Sequence, residues 1–241
     1  MTDLTFPLEH EIDQFALGFF GYGDLSAPLW FIGMEEGGGQ NAKDVTKRIR
    51  VWQKRGSVAL EDLAEYHDEV MEGGFKAIAK QNTWSALSRI QLAYDGNDTS
   101  SGAVRHHWRE CLGRSGSATC IMELNPLPSP NIRTWNYPKF TSTPFLRSRI
   151  SYNARYRAAR IAKIRSLLEQ ASPQAVIFYG KKYEEFWGQI ADVTFDSGNL
   201  HSRAVKGGTK FVSMHHPNAR VAGKTTDYYI DLGRDLGVDY G

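Results

Sequence analysis

The chain has 241 residues, 23% of them charged and 41% hydrophobic, and a formal net charge of +2, so it has the size and composition of one folded domain over residues 1–241 with a substantial core. Cys111 and Cys120 are too few for a disulfide scaffold or a four-cysteine cluster and form no C-x-x-C pair, so both read as buried thiols. No apolar run approaches the roughly 20 residues of a membrane helix, and the start, with Asp3, Glu9, Glu11 and Asp13, lacks a signal peptide's basic segment; a cytoplasmic protein without membrane contact is expected.

In chain order, the first strong signal is Leu29-Trp30-Phe31-Ile32. It is short, aromatic and apolar, which predicts a buried strand over 28–33 that hands two carboxylates to a glycine-rich turn, Gly33-Met34-Glu35-Glu36-Gly37-Gly38-Gly39. The basic stretch 40–56 reads as a helix beside that turn. Apolar residues at spacings of three and four predict amphipathic helices over 58–80 and 82–94. A loop is expected at 96–102, a second strand at 117–124 and a Pro- and Thr-rich loop at 125–145. A helix over 153–170 carries Ala154, Ala158, Ile161, Ile164 and Leu168 on one side and arginines around the rest. Strands at 174–179 and 210–214 follow, each with a helix after it, from about 182 and over 225–236. The last strand delivers His215-His216-Pro217-Asn218-Ala219-Arg220. Strands alternating with helices predict an α/β fold with a parallel sheet, whose strand ends bring distant loops to one edge.

Charge is unevenly distributed. From Leu124 to Leu168 there is no Asp or Glu, while nine arginines and lysines fall inside, among them Arg133, Arg155 and Arg157. Such a segment is either a solvated face or a surface for a polyanion, and interleaved Trp135, Tyr137, Phe140, Tyr152 and Tyr156 suit stacking on bases. The absence of acids over 45 residues favours nucleic acid.

Four segments, taken in order, resemble the uracil-DNA glycosylase superfamily: Gly33-Met34-Glu35-Glu36-Gly37, Leu124-Asn125-Pro126-Leu127-Pro128-Ser129-Pro130-Asn131, Ala175-Val176-Ile177-Phe178-Tyr179-Gly180-Lys181 and His216-Pro217-Asn218-Ala219-Arg220. The resemblance implies a three-layer α/β/α sandwich with a central four-stranded parallel sheet. It places Glu35 where some branches have the catalytic Asp and His216 at the catalytic histidine. Gly33, Met34, Gly37, Asn125 and Asn218 would surround the base, with Asn125 reading its edge. Pro128 and Ser129 would lie near the DNA backbone, and Arg220 where relatives place a wedge. The chain departs from the pattern in several places: no Pro follows Glu35, Gly37 replaces the tyrosine that narrows the pocket of uracil-specific branches, and Asn218 replaces a Ser. The cysteine count excludes the iron-sulfur branch. Trp52 and Trp84 are candidates for the aromatic that stacks on the flipped base. DNA, single- or double-stranded, is the expected partner, with no cofactor, no metal and no obligate protein partner.

The residue types suit that chemistry. Breaking an N-glycosidic bond leaves positive charge on the sugar and negative charge on the base, so a site needs an anion near C1′ and a donor near the base oxygen. Glu35 and His216 supply these, and Glu35 can also activate water. Adjacent like charges would raise the pKa of one glutamate and make Glu36 a proton donor to the base; the alternative is a solvated Glu36. The alternatives read Glu35 as a turn carboxylate capping the next helix, Asn125 as an Asx-turn residue and His215 as a loop or core histidine. His106-His107 has no nearby ligand set for a metal. The bare Gly37, Gly38 and Gly39 leave room beside the base, which points to a damaged or bulky modified pyrimidine, such as those of phage DNA, rather than uracil. A non-catalytic nucleic-acid-binding protein on the same fold, or a nucleoside or nucleotide N-glycosidase, are the alternatives.

Overall fold

In a computed structural model, residues 5–237 are described; Asp3 lies outside them. Among the described residues, seven strands form one mixed sheet in the order β3-β1-β4-β2-β5-β7-β6. These are β1 (Gly21–Gly23), β2 (Leu29–Gly37), β3 (Leu60–Glu61), β4 (Thr119–Ser129), β5 (Ala175–Tyr179), β6 (His201–Lys206) and β7 (Thr209–Met214). The four strands read from the sequence are its centre, β4-β2-β5-β7, and are mutually parallel. The expected sheet of four strands is therefore corrected to seven: β1 runs antiparallel to β4, β3 parallel to β1 and β6 antiparallel to β7.

Alternation along the central strands divides the core. Leu29, Phe31, Ile177 and Val212 face a cluster built with helices α1 (Glu9–Gly18), α2 (Ala42–Lys54), α3 (Leu63–Val70), α4 (Asn82–Tyr94), α5 (Ser101–Glu110) and α8 (Thr226–Gly237). Trp30, Ile32, Val176 and Phe178 face the opposite cluster, built with α7 (Glu184–Ala191) and the second half of α6 (Arg149–Ala171). Both sheet faces are thus covered, which is why these strands are apolar almost throughout.

Element ends follow local chemistry. Asn41, Asp62, Ser100 and Ser148 cap α2, α3, α5 and α6 through their side-chain oxygens. The expected single helix over 58–80 is broken: Asp62 starts α3, and Gly73 and Gly74, with φ of 82° and 72°, follow its end. β2 runs on to Gly37, so Glu35 and Glu36 lie in the strand and not on a turn. β4 likewise continues through Asn125 and both prolines to Ser129, shortening the expected loop. Cys120 is buried, but Cys111 is exposed at the end of α5. No helix among the described residues is long and apolar enough to cross a membrane.

Candidate functional site

At the C-terminal ends of the central strands, β2 lies between β4 and β5, so loops leaving neighbouring strands part and open a crevice. A cavity of about 660 Å³ lies here. It brings together Met34, Glu35, Glu36, Gly37, Ser129, His215, His216 and Asn218 from the residues singled out in the sequence, and Trp84 from the stacking candidates. Trp52 is not there: it is 2% exposed in the core against Phe15.

The two adjacent glutamates part company. Glu35 turns to the first residue of α6, where Arg149 Nη1 pairs with its Oε1. Arg149 also donates to Ser129 Oγ at 2.9 Å and to the carbonyls of Asn131 (3.1 Å) and Thr134 (2.6 Å), and its guanidinium lies 4.9 Å from the Trp135 ring centroid. Burial pushes the Glu35 carboxyl up to about 7 even though the Arg149 charge pulls it down. Glu35 is therefore a cavity carboxyl held by α6, not a helix cap.

Glu36 turns to α2 and α3. Its Oε1 accepts from Tyr22 Oη, lies 2.7 Å from Arg48 Nη1 and 3.6 Å from His67 Nε2. Burial holds His67 down at about 4, so it is neutral near pH 7. Glu36 is thus buried against an arginine of its own, which corrects the solvated alternative. Its Oε2 is buried and has no hydrogen-bond partner among the described residues.

A third carboxylate, Glu123, comes from β4 and was missed by sequence reasoning. It interrupts the apolar run Cys120-Ile121-Met122-Glu123-Leu124, and a charge inside a buried strand was the available signal. Tyr179 Oη donates to its Oε1 at 2.6 Å, and the backbone N–H of Glu35 also hydrogen-bonds the carboxyl. Burial raises its carboxyl to about 8; the Tyr179 hydrogen bond opposes this, and the Glu36 and Glu35 charges add to it. Gly33 does not line the cavity; a Cβ there would overlap the Tyr179 ring and Glu123 Oε2, so the bare backbone admits this pair.

His216 stands at the other end. Its Nδ1 accepts the Asn218 backbone N–H at 3.1 Å, which assigns the remaining proton of the neutral ring to Nε2. Burial, with the Lys224 charge adding to it, lowers its pKa to about 4. Lys224 Nζ donates to the carbonyls of His216 (2.7 Å), Pro217 (2.9 Å) and Ala219, fixing the loop. The Tyr179 ring lies 5.7 Å from that of His216. His215 also lines the cavity, its pKa lowered by burial and then by Lys181 and Lys224.

Other expected residues lie elsewhere. Asn125 is 3% exposed, pairs in register with Glu35 and does not line the cavity. Pro128 is buried, with its carbonyl accepting from Tyr137 Oη, so it offers no backbone contact to DNA. Ser129 lines the cavity, but its hydroxyl is engaged by Arg149 and donates to the Thr134 carbonyl. Of the glycine run, only Gly37 is open; Gly38 packs on Arg48 and Asp44, and Gly39 on the Pro128 carbonyl.

The arginines of α6 do not all face outward. Arg155 is tied to Asp13 and Glu9, Arg157 lies 4.4 Å from the Phe186 ring centroid, and Arg160, 1% exposed, donates to the carbonyls of Phe19, Glu123 and Leu124. Arg133 and Arg220 are exposed and form no ion pair among the described residues. Among the described residues, no group of three or more His, Cys, Asp or Glu is arranged to hold a metal ion. No family model matches the sequence, and no curated protein is similar to it.

Proposed function

We propose that this chain is a DNA glycosylase that hydrolyses the N-glycosidic bond of a damaged or modified base after flipping it into the cavity. The observation that carries this reading is the pairing, in one cavity, of a buried carboxyl titrating near 7 with a neutral histidine whose only free ring proton is on Nε2. Glu35 in its ionised form takes a proton from water as the oxygen attacks C1′. The C1′–N bond breaks, its electron pair leaves with the base, and His216 Nε2–H hydrogen-bonds the base oxygen where the charge collects. Trp84, Met71 and Ile78 supply an apolar wall for the ring. A cavity of about 660 Å³ accommodates more than a bare pyrimidine, which favours a bulky modified base such as those of phage DNA, and with it a role in cytoplasmic repair or phage defence. Membership of the uracil-DNA glycosylase superfamily, and the likeness of the central parallel strands to its sheet, are part of this proposal.

A nucleoside or nucleotide N-glycosidase is the competing reading, favoured by one observation: Arg149, Arg155 and Arg160 are already engaged by carboxylates and carbonyls of the protein itself. Single-turnover assays on oligonucleotides carrying uracil, hypoxanthine, 5-hydroxymethylcytosine and its glucosylated form, with heat-alkali cleavage at abasic sites, separate the two. Product from an oligonucleotide that vanishes in Glu35→Gln is expected. Release of base from free nucleosides alone would replace this reading with the competing one, and tight, salt-sensitive binding without product would make the chain a non-catalytic reader.

A further inference from the structure

Of the large apolar side chains that stay exposed among the described residues, only Ile132 also lines the cavity; it is 48% exposed, so it stands on the rim. It belongs to neither cluster of the core. The Thr134 N–H donates to the Asn131 carbonyl at 3.1 Å, closing a tight turn with Ile132 and Arg133 at its tip. Turn tips favour Gly, Asn, Asp and Pro, so a large β-branched residue there serves no local need of the backbone. The turn is nonetheless firmly braced. Arg149 and Ser129 Oγ each donate to the carbonyls of Asn131 and Thr134, and Asn131 Oδ1 accepts the Arg133 N–H at 2.9 Å.

Charge indicates what this apolar tip meets. From Asn131 to Arg147 there is no acid, and Arg133, Lys139 and Arg147 are exposed and form no ion pair among the described residues, unlike Arg149 and Arg155 of α6. The Trp135 indole N–H donates to the Leu146 carbonyl at 2.8 Å, which folds the end of this segment back beside the turn. This side of the rim therefore sets an apolar side chain among cations, a surface that fits a nucleic-acid strand with phosphates outside and stacked bases within. Arg220, the residue expected to act as a wedge, does not line the cavity.

We propose, resting on the glycosylase reading, that Ile132 is the side chain that enters the base stack when the target nucleotide turns into the cavity, and that the substrate is duplex DNA. In a duplex the departing base leaves a gap between its neighbours. An apolar side chain inserted there holds the neighbours apart and stops the nucleotide from swinging back. Arg133, next to it on the turn, meets the phosphates and fixes the register. Because the turn is closed before DNA arrives, little ordering is left for binding to do. About half of the side chain is open in the free protein, and covering it corresponds to about a five- to tenfold gain in affinity. A single strand has no such gap, so Ile132 adds little there.

The test uses a strand with a tetrahydrofuran abasic analogue at one position, a probe that needs no identified base, either annealed to its complement or alone. Fluorescence anisotropy gives the affinity of the wild type, Ile132→Ala, Ile132→Leu and Ile132→Thr, each checked by thermal melting. Single-turnover excision of the panel of bases named above is followed in both strand states. Ile132→Ala is expected to bind the duplex about five- to tenfold more weakly and the single strand about as well as the wild type, with Ile132→Leu restoring the duplex. Excision from the duplex should fall in step. Should Ile132→Ala fail to fold, Ile132→Thr, alike in shape but polar, decides. Equal effects on duplex and single strand, or none, would overturn the assignment of Ile132, and excision by the wild type would then leave the glycosylase standing. A loss of binding confined to the duplex, without excision of any base, would support the role of Ile132 and overturn the glycosylase. Neither binding nor excision by the wild type would overturn both.

Discussion

Glu35 and Glu36 are the same residue type, one peptide bond apart, and each faces an arginine, yet the structure uses them differently. Arg48 is 7% and Glu36 10% exposed, with Tyr22 and His67 closing round the carboxylate, so this half of the cavity is a sealed ion pair. Arg149 is 23% exposed and divides its donors among Glu35, Ser129, Asn131 and Thr134, so the other half holds its carboxylate with one guanidinium that has other duties. Neighbouring sequence thus gives one carboxylate that fixes the wall and one whose proton is available near neutral pH, the difference set by packing alone.

Breaking the half proposed to be catalytic should have the largest effect. Glu35→Gln is expected to slow single-turnover excision by about 10²–10⁴-fold while leaving oligonucleotide binding within a few-fold. Equal losses in rate and affinity would show that Glu35 binds substrate and does no proton chemistry. Breaking the sealed half should act on stability instead. Glu36→Ala leaves the buried Arg48 Nη1 without its carboxylate while Asp44 still holds Nε, and is expected to cost about 1–3 kcal/mol in denaturant unfolding. Arg149→Met sharpens the comparison: without the guanidinium the Glu35 carboxyl rises further, so the acidic limb of the pH–rate profile should move up by about one unit. An unmoved limb would show that Arg149 serves the loop alone.

The smallest effect is thermal and depends on pH. The folded pKa of Glu35 is raised from 4.5 to about 7, so its contribution favours folding fully below pH 4.5 and is lost as pH rises through 7. Glu35→Gln should therefore match the wild-type melting temperature near pH 4 and exceed it by a few degrees at pH 8. His216 has the opposite sign: its folded pKa lies below its unfolded value, so its contribution is present above about pH 6.5 and lost as pH falls toward 4. Melting curves of His216→Gln between pH 4 and 7 check this, the variant losing less stability than the wild type on acidification.

The central strands were legible because burial on both faces demands apolar runs, and α4 was legible to the residue because its apolar period is uninterrupted from Asn82 to Tyr94. The edge strands were not. β1 and β3 span three and two residues, and β6 is mostly polar because one of its sides is open. Glu35 and His216 were legible from their places after apolar runs. Glu123, Arg48, Arg149, Tyr179 and Lys224 were not, since each matters through a partner far away in sequence; Arg149 and Glu35 are 114 positions apart. The same limit misled the reading of the basic segment. Sequence shows where cations are concentrated, but not that Asp13 has already claimed Arg155, and the carbonyls of Phe19 and Leu124 Arg160.

Arg149 joins the cavity to the surface, since the guanidinium that neutralises Glu35 also ties down the carbonyls of Asn131 and Thr134. Any phosphate that draws this arginine toward itself withdraws the countercharge from Glu35 and leaves the carboxylate to take up a proton. Anion binding and proton binding at this point then share one free energy, and each must strengthen the other by the same factor. Grip on a nucleic-acid strand would be tighter in mild acid, and a proton would be absorbed from the buffer at the moment of capture.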